Sequence, residues 1–114
     1  MSRPNILLIV MDTARADYVE NESIMPNVHD FSTKGTWFSN TFANSSWTLP
    51  SHSSIFTGKY PSSHGTIGNE KLFDSAPNLM TALGREDYYS VGFSNNPWIS
   101  PDFGFDGFNK FIPC

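Results

Sequence analysis

The most apolar stretch of the chain is Ile6-Leu7-Leu8-Ile9-Val10-Met11, a run without alternation that is entered through Pro4-Asn5 and ended by Asp12. Rich in β-branched residues and too short for a helix, it predicts a strand buried on both faces, as in a parallel sheet. Asp12 would then stand at the carboxyl end of the strand, the edge where open α/β sheets bind ligands. Pro26 fits the first position of a helix that carries Val28 and Phe31 and is ended by Gly35. Trp37-Phe38-Ser39-Asn40-Thr41-Phe42 is aromatic and predicts a second strand. A polar loop from Ser45 to Thr48 leads to a helix that opens at Pro50, carries Ser53, Ile55 and Phe56, and stops at Gly58. Residues 58–68, rich in Gly, Ser and Pro, read as a loop. Residues 78–83 predict a helix stopped by Gly84, residues 88–93 a strand, and Ser94-Asn95-Asn96-Pro97 a turn. The tail from Pro101 to Cys114, with Gly104 and Gly107 among aromatics, has no period that assigns it. Strand, helix and strand in alternation predict an α/β fold with a mostly parallel sheet flanked by helices.

Composition narrows this picture. A chain of 114 residues makes one domain at most. The formal net charge is −4 and the seven basic residues are scattered, which argues against a nucleic-acid partner, since phosphate neutralisation needs clustered Lys and Arg. No run approaches the roughly 20 apolar residues that span a bilayer. The run at residues 6–11 is also shorter than a signal-peptide core of about 10 residues. On these grounds the chain reads as cytoplasmic and without a membrane partner. Cys114 is the sole cysteine, so no internal disulfide forms. Trp47 and Trp98 read as core or interface residues rather than ligand platforms.

Two places carry candidate chemistry. Asp12 is either a ligand-binding carboxylate at a strand end or a turn and cap residue, which is common at such junctions. In Ser46-Trp47-Thr48-Leu49-Pro50-Ser51-His52, a hydroxyl stands two residues before a proline of a first helical turn. There the unsatisfied amides and the helix dipole favour an anion such as a phosphate or sulfate ester. The plainer alternative is that Thr48 or Ser46 caps the helix.

Arg3 to Asp12, with its apolar run, resembles the opening of sulfatases of the alkaline phosphatase superfamily. Met25-Pro26-Asn27, a short helix, Gly35 and an aromatic segment are similar to the T-P-N-L-D-x-L-A-x-x-G-x-x-F segment of that family. Thr48-Leu49-Pro50-Ser51-His52-Ser53-Ser54-Ile55-Phe56-Thr57-Gly58-Lys59-Tyr60-Pro61, with His64-Gly65 after it, lies along the signature C/S-x-P-x-R-x-x-x-x-T-G. The three motifs occur in order and cover most of the chain.

The resemblance implies an N-terminal piece of an alkaline phosphatase-like α/β domain that hydrolyses sulfate or phosphate esters. Asp12 and Thr48 would be metal ligands for a divalent cation (Ca, Mg, Mn or Zn). Thr48 falls at the nucleophile position, where sulfatases carry a Cys or Ser that becomes formylglycine; threonine cannot yield that aldehyde, so none is expected. His52 replaces the signature Arg that supports the nucleophile, and Thr13 replaces a second Asp. Lys59 and His64 are candidate substrate-binding residues, with a solvated loop as their alternative. The later Asp-His or Asp-Asn pair of the superfamily has no counterpart, since Asp102 and Asp106 lie among Gly and Phe with no apolar run before them.

Three readings follow: a hydrolase fragment inactive alone or completed by another chain, a small Thr-nucleophile phosphoester hydrolase, and a non-catalytic anion-binding module. In each, apolar edges left bare predict that the isolated chain is marginally stable, aggregation-prone or dimeric. Size-exclusion chromatography with light scattering and thermal unfolding checks this; a monomer with one sharp transition contradicts it.

Overall fold

The computed structural model describes residues 3–68, 71–72 and 77–114. The chain forms two compact units, Met1–Thr41 and Phe42–Cys114.

The first unit holds two short helices, α1 (Ala16–Val19) and α2 (Pro26–Ser32), neither with a buried residue. Pro26 takes the first-turn position of α2, where its missing N–H costs nothing. The helix ends earlier than Gly35: Thr33 is its C-cap, and turns closed by Lys34 N–H to Phe31 O and Gly35 N–H to Ser32 O follow.

Residues 6–11 do not form the predicted strand. A strand exists only where its N–H and C=O groups meet a ladder, and the two strands among the described residues pair with each other. The run stays in solvent, with Leu7 83% and Ile9 72% exposed. The strand expected at residues 37–42 is also absent, for the same lack of a ladder, and Phe38 and Phe42 are exposed.

The second unit is built around α3 (Thr48–Thr57). It starts two residues before Pro50, so the proline occupies the third helical position, where it still removes no intrahelical bond. It stops at Gly58, which adopts the left-handed conformation (φ +67°) that favours glycine. Leu49, Ser53 and Phe56, at helical spacing, form its buried face. Next come α4 (Pro61–His64) and α5 (Leu79–Arg85). Asn78 caps α5 by accepting from the Thr81 N–H at 2.9 Å, and the Thr81 hydroxyl oxygen accepts from the Asn78 N–H at 3.1 Å. Gly84 does not end α5, which runs on through Arg85.

The sheet consists of β1 (Val91–Ser94) and β2 (Lys110–Pro113), paired in parallel from Val91↔Lys110 to Ser94↔Pro113. β1 is shorter than the predicted strand and begins three residues later. The unassigned tail supplies β2 and a 3-10 turn at Pro101–Phe103. The fold is thus a small α/β arrangement, consistent with part of an alkaline phosphatase-like domain.

The tail also completes the core. Phe105 is 1% exposed and packs with Leu49, Phe56 and Met80. The Phe56 ring meets Phe105 edge to face at 5.3 Å and Phe108 at 6.1 Å. Gly104 permits this approach, since it has φ +86° and a Cβ there would lie 2.3 Å from the Leu72 carbonyl oxygen.

His64 straps α4 to α3. The ring is 4% exposed, its Nδ1 accepts from the Thr66 N–H at 3.1 Å, and its Nε2 lies 3.0 Å from Ser54 Oγ. With Nδ1 accepting, the neutral ring carries its proton on Nε2 and donates to Ser54. Burial holds the His64 pKa below its ordinary 6.5; a bond to the Pro50 carbonyl opposes this and the Lys59 charge adds to it.

Three stability predictions arise. Gly104→Ala forces a side chain into a left-handed backbone against the Leu72 carbonyl and should lower unfolding free energy by about 2 kcal/mol or more. Gly84→Ala, in a helix with open space around it, should raise it by about 0.5–1 kcal/mol. Urea titration reads both. For His64, the unfolded chain binds a proton that the folded chain resists, so the unfolded state carries more protons on acidification. Stability should be full above the ordinary pKa of 6.5 and fall as pH drops below it. The urea midpoint at pH 7 and pH 5 measures the difference, which His64→Gln should reduce.

Candidate active site

Thr48 is the first residue of a helix of 10 residues. The N-cap is Trp47, extended at φ −114°, ψ 136°, so neither Ser46 nor Thr48 stands at the N-cap position itself, and the Trp47 side chain makes no capping hydrogen bond. Trp47 is fixed instead through its indole, whose Nε1–H donates to the Gly68 carbonyl at 2.8 Å while the ring meets Trp98 edge to face at 5.6 Å. On the other side of Thr48, Leu49 is fully buried in the aromatic core. Two anchored neighbours therefore set the half-buried Thr48 at the positive end of the α3 dipole.

His52 is brought to Thr48, one helical turn on. It is 8% exposed and its Nδ1 lies 2.9 Å from the Thr48 main-chain carbonyl. A carbonyl only accepts, so Nδ1 carries the proton in this contact. The geometry joins the pair through the backbone of Thr48.

Lys59 is not brought to this point, whereas the buried His64 ring reaches the first turn of α3 through its bond to the Pro50 carbonyl. Lys59 is exposed beyond Gly58, and the two ends of α3 are about 14 Å apart at 1.5 Å per residue. Thr57-Gly58 acts as a helix stop: the Thr57 hydroxyl donates to the Ser53 carbonyl at 2.6 Å and accepts from the Lys59 N–H at 3.3 Å. His64 faces inward with both ring nitrogens engaged, in place of the loop position read from the sequence. Nor is Ser54-His64 a nucleophile and base: Nδ1 accepts from Thr66, so Nε2 already holds the proton that a base would have to take.

Asp12 belongs to the first unit and Thr48 to the second. Asp12 lies in a turn closed by the Ala14 N–H and the Met11 carbonyl at 3.3 Å, ahead of Thr13 in the left-handed region (φ +64°). It is exposed and does not end a strand. Asp102 is exposed in the 3-10 turn, while Asp106 accepts from the Asn78 side-chain amide at 3.1 Å and so steadies the start of α5. Among the described residues no group of three or more His, Cys, Asp or Glu side chains could hold a metal ion. Hard cations take about six to eight oxygens and zinc about four N, O or S donors, a set that the described residues do not assemble by themselves. Among the described residues no helix is long and apolar enough to cross a membrane.

Sequence reasoning overlooked the tie of the Trp47 indole to Gly68 and the role of Asp106 at α5. The first had a signal in the aromatic residue beside the candidate hydroxyl; the second, spanning 28 positions, had none.

The type I phosphodiesterase / nucleotide pyrophosphatase family profile matches residues 6–101. Venom phosphodiesterase 2 of Crotalus adamanteus is 40% identical over 87 residues, covering 68% of this chain and 10% of that protein. Ectonucleotide pyrophosphatase/phosphodiesterase family member 1 of Rattus norvegicus is 32% identical over 101 residues, or 85% of this chain and 11% of that protein. Family member 3 of Mus musculus is 34% identical over 101 residues, with the same two coverages of 85% and 11%. The chain thus spans about a tenth of the length of the curated relatives it matches. No solved structure matches significantly. The resemblance to sulfatases stands at the level of the superfamily. With the family profile covering most of its length, the chain belongs to the type I phosphodiesterase / nucleotide pyrophosphatase family of the alkaline phosphatase superfamily.

Proposed function

We propose that this chain carries the nucleophile segment of a phosphodiester hydrolase, with Thr48 as the attacking residue. The observation that supports this most is the position of Thr48 at the first turn of a core-anchored helix, inside the segment that matches the family. Attack by Thr48 Oγ on phosphorus would form a P–O bond and break the bond to the leaving alcohol, and water would later release the phosphoryl group. The positive end of the α3 dipole favours the phosphoryl charge. Lys59 enters this reading only as an electrostatic contributor from the far end of the helix, and His64 only through packing.

Family membership supports a divalent cation, zinc included, as cofactor. Asp12 and Thr48 are the oxygen donors this chain offers it, too few without donors from elsewhere. A complementing chain or further sequence is therefore part of the proposal, as is self-association. Sulfate esters are the second substrate class, supported by the signature around Thr48. A non-catalytic anion-binding module is the competing reading, compatible with Thr48 at the nucleophile position and His52 at the position of the signature Arg.

Turnover of bis(p-nitrophenyl) phosphate and p-nitrophenyl sulfate, with added divalent metals, separates these readings. Phosphodiester turnover should exceed sulfatase turnover, and Thr48→Ala should lower it by about a hundredfold or more. Turnover unchanged by Thr48→Ala refutes the nucleophile. Absent turnover, with Thr48-dependent binding of inorganic phosphate, establishes the binding module.

A further inference from the structure

We propose that the apolar run of residues 6–11 in one copy of this chain pairs with the open edge of β1 in a second copy, giving a strand-exchanged dimer. This gives the self-association named above an interface, and its test does not depend on the reading of Thr48. The starting point is a parallel sheet of two strands, a kind of sheet that is normally covered on both faces.

The ladder has two unequal edges. Lys110 N–H donates to the Ser90 carbonyl at 3.2 Å and Cys114 N–H to the Ser94 carbonyl at 2.8 Å. Main-chain groups alternate sides along a strand, so Ser90, Gly92 and Ser94 turn theirs toward β2, while Val91 and Phe93 turn theirs outward. On the far edge the outward residues of β2 are Phe111 and Pro113, and proline has no N–H to offer a further strand. β1 is therefore the edge that can accept one. Its two faces differ as well. A Cβ on Gly92 would meet the Phe108 and Phe111 rings at 3.0 Å, so that face is covered. The other face carries Val91 and Phe93, 41% and 69% exposed.

Residues 6–11 are the complement. Ile6, Leu8 and Val10 alternate with Leu7, Ile9 and Met11, so a strand made of them is apolar on both faces. Each of the six is at least 44% exposed. Among the described residues, the main chain of residues 6–10 makes no hydrogen bond. The chain thus holds a strand without a ladder and a ladder edge without a strand. A second copy is the occupant because it supplies the two in equal number. Each chain gives one run and takes one, and the exchange closes with two-fold symmetry. Two such strands against two β1 edges bury on the order of 1,000 Å² in total, which reaches the range of specific interfaces.

Light scattering and sedimentation velocity of the full chain over a concentration series should show a monomer–dimer equilibrium. Leu7→Lys with Ile9→Lys changes two side chains that are 83% and 72% exposed, so the far-UV circular dichroism of the monomer should be kept. Dimerisation should weaken by about a hundredfold or more, because the exchanged strand would carry charge into the sheet. Val91→Pro removes an outward N–H, spares the β1–β2 ladder and should weaken dimerisation similarly. In a third experiment, copies with Asn5→Cys and Cys114→Ser are spin-labelled at residue 5 and mixed with 15N-labelled wild type. The amides of residues 90–94 in the 15N copy should broaden. A chain that stays monomeric throughout, open-ended oligomers in place of a dimer, or dimers indifferent to the paired Lys substitutions or to Val91→Pro overturn the proposal. So does a dimer in which residues 90–94 of the 15N copy stay sharp. Phosphodiester turnover in the same samples bears on Thr48 alone.

Discussion

The packing of α3 against the aromatic tail is the interaction on which the rest of the second unit depends. Leu49 and Phe56 lie on one face of that helix, and Phe105 fills the space between them and Met80. Burying a large apolar side chain is worth about 1.5–3 kcal/mol, far more than the intrinsic helicity of a 10-residue segment with a proline in its first turn. The helix is therefore a product of tertiary contact. Because Leu49 directly follows Thr48, the contact that holds the helix also fixes where the hydroxyl begins. Gly104, by admitting Leu72 close to its backbone, lets the tail reach that position.

The proposed chemistry lies at the start of the same helix. The residue pair that the geometry assembles is Thr48 with His52, joined through a main-chain carbonyl. The signature that runs on to Thr57, Gly58 and His64 divides into parts with different work. Its start presents a hydroxyl at a dipole, its middle packs into the core, and its end stops α3 and straps α4 to it. A motif can thus mark a family even where most of its residues serve the fold. Among the described residues no group of three or more metal-ligating side chains forms, and the chain spans about a tenth of the relatives it matches.

Elements with local causes were legible in the sequence. Pro26 at a first turn, the Gly58 stop and the helix after Asn78 depend on backbone chemistry within a few residues. What failed depends on partners far along the chain. Residues 6–11 have the composition of a central strand, but composition does not supply a ladder. Conversely β2 has an ordinary sequence and becomes a strand because β1 is there to pair with it. The place of Thr48 in a first helical turn was legible because a hydroxyl near a helix-opening proline has a local meaning. The inward turn of His64 was not, since it depends on Ser54 and Thr66 closing around the ring. Phe105, the centre of the core, was hidden in a tail where glycine and aromatic residues alternate without a period.

The central claim is that the tail aromatics hold the helix that presents Thr48. Native-state amide hydrogen exchange of the wild type and of Phe105→Ala tests it most directly. The account predicts that amides of α3, α5 and residues 103–108 open together in the wild type, and that Phe105→Ala raises exchange through α3 from Ser51 onward. Protection of α3 that survives the loss of the Phe105 ring would contradict it.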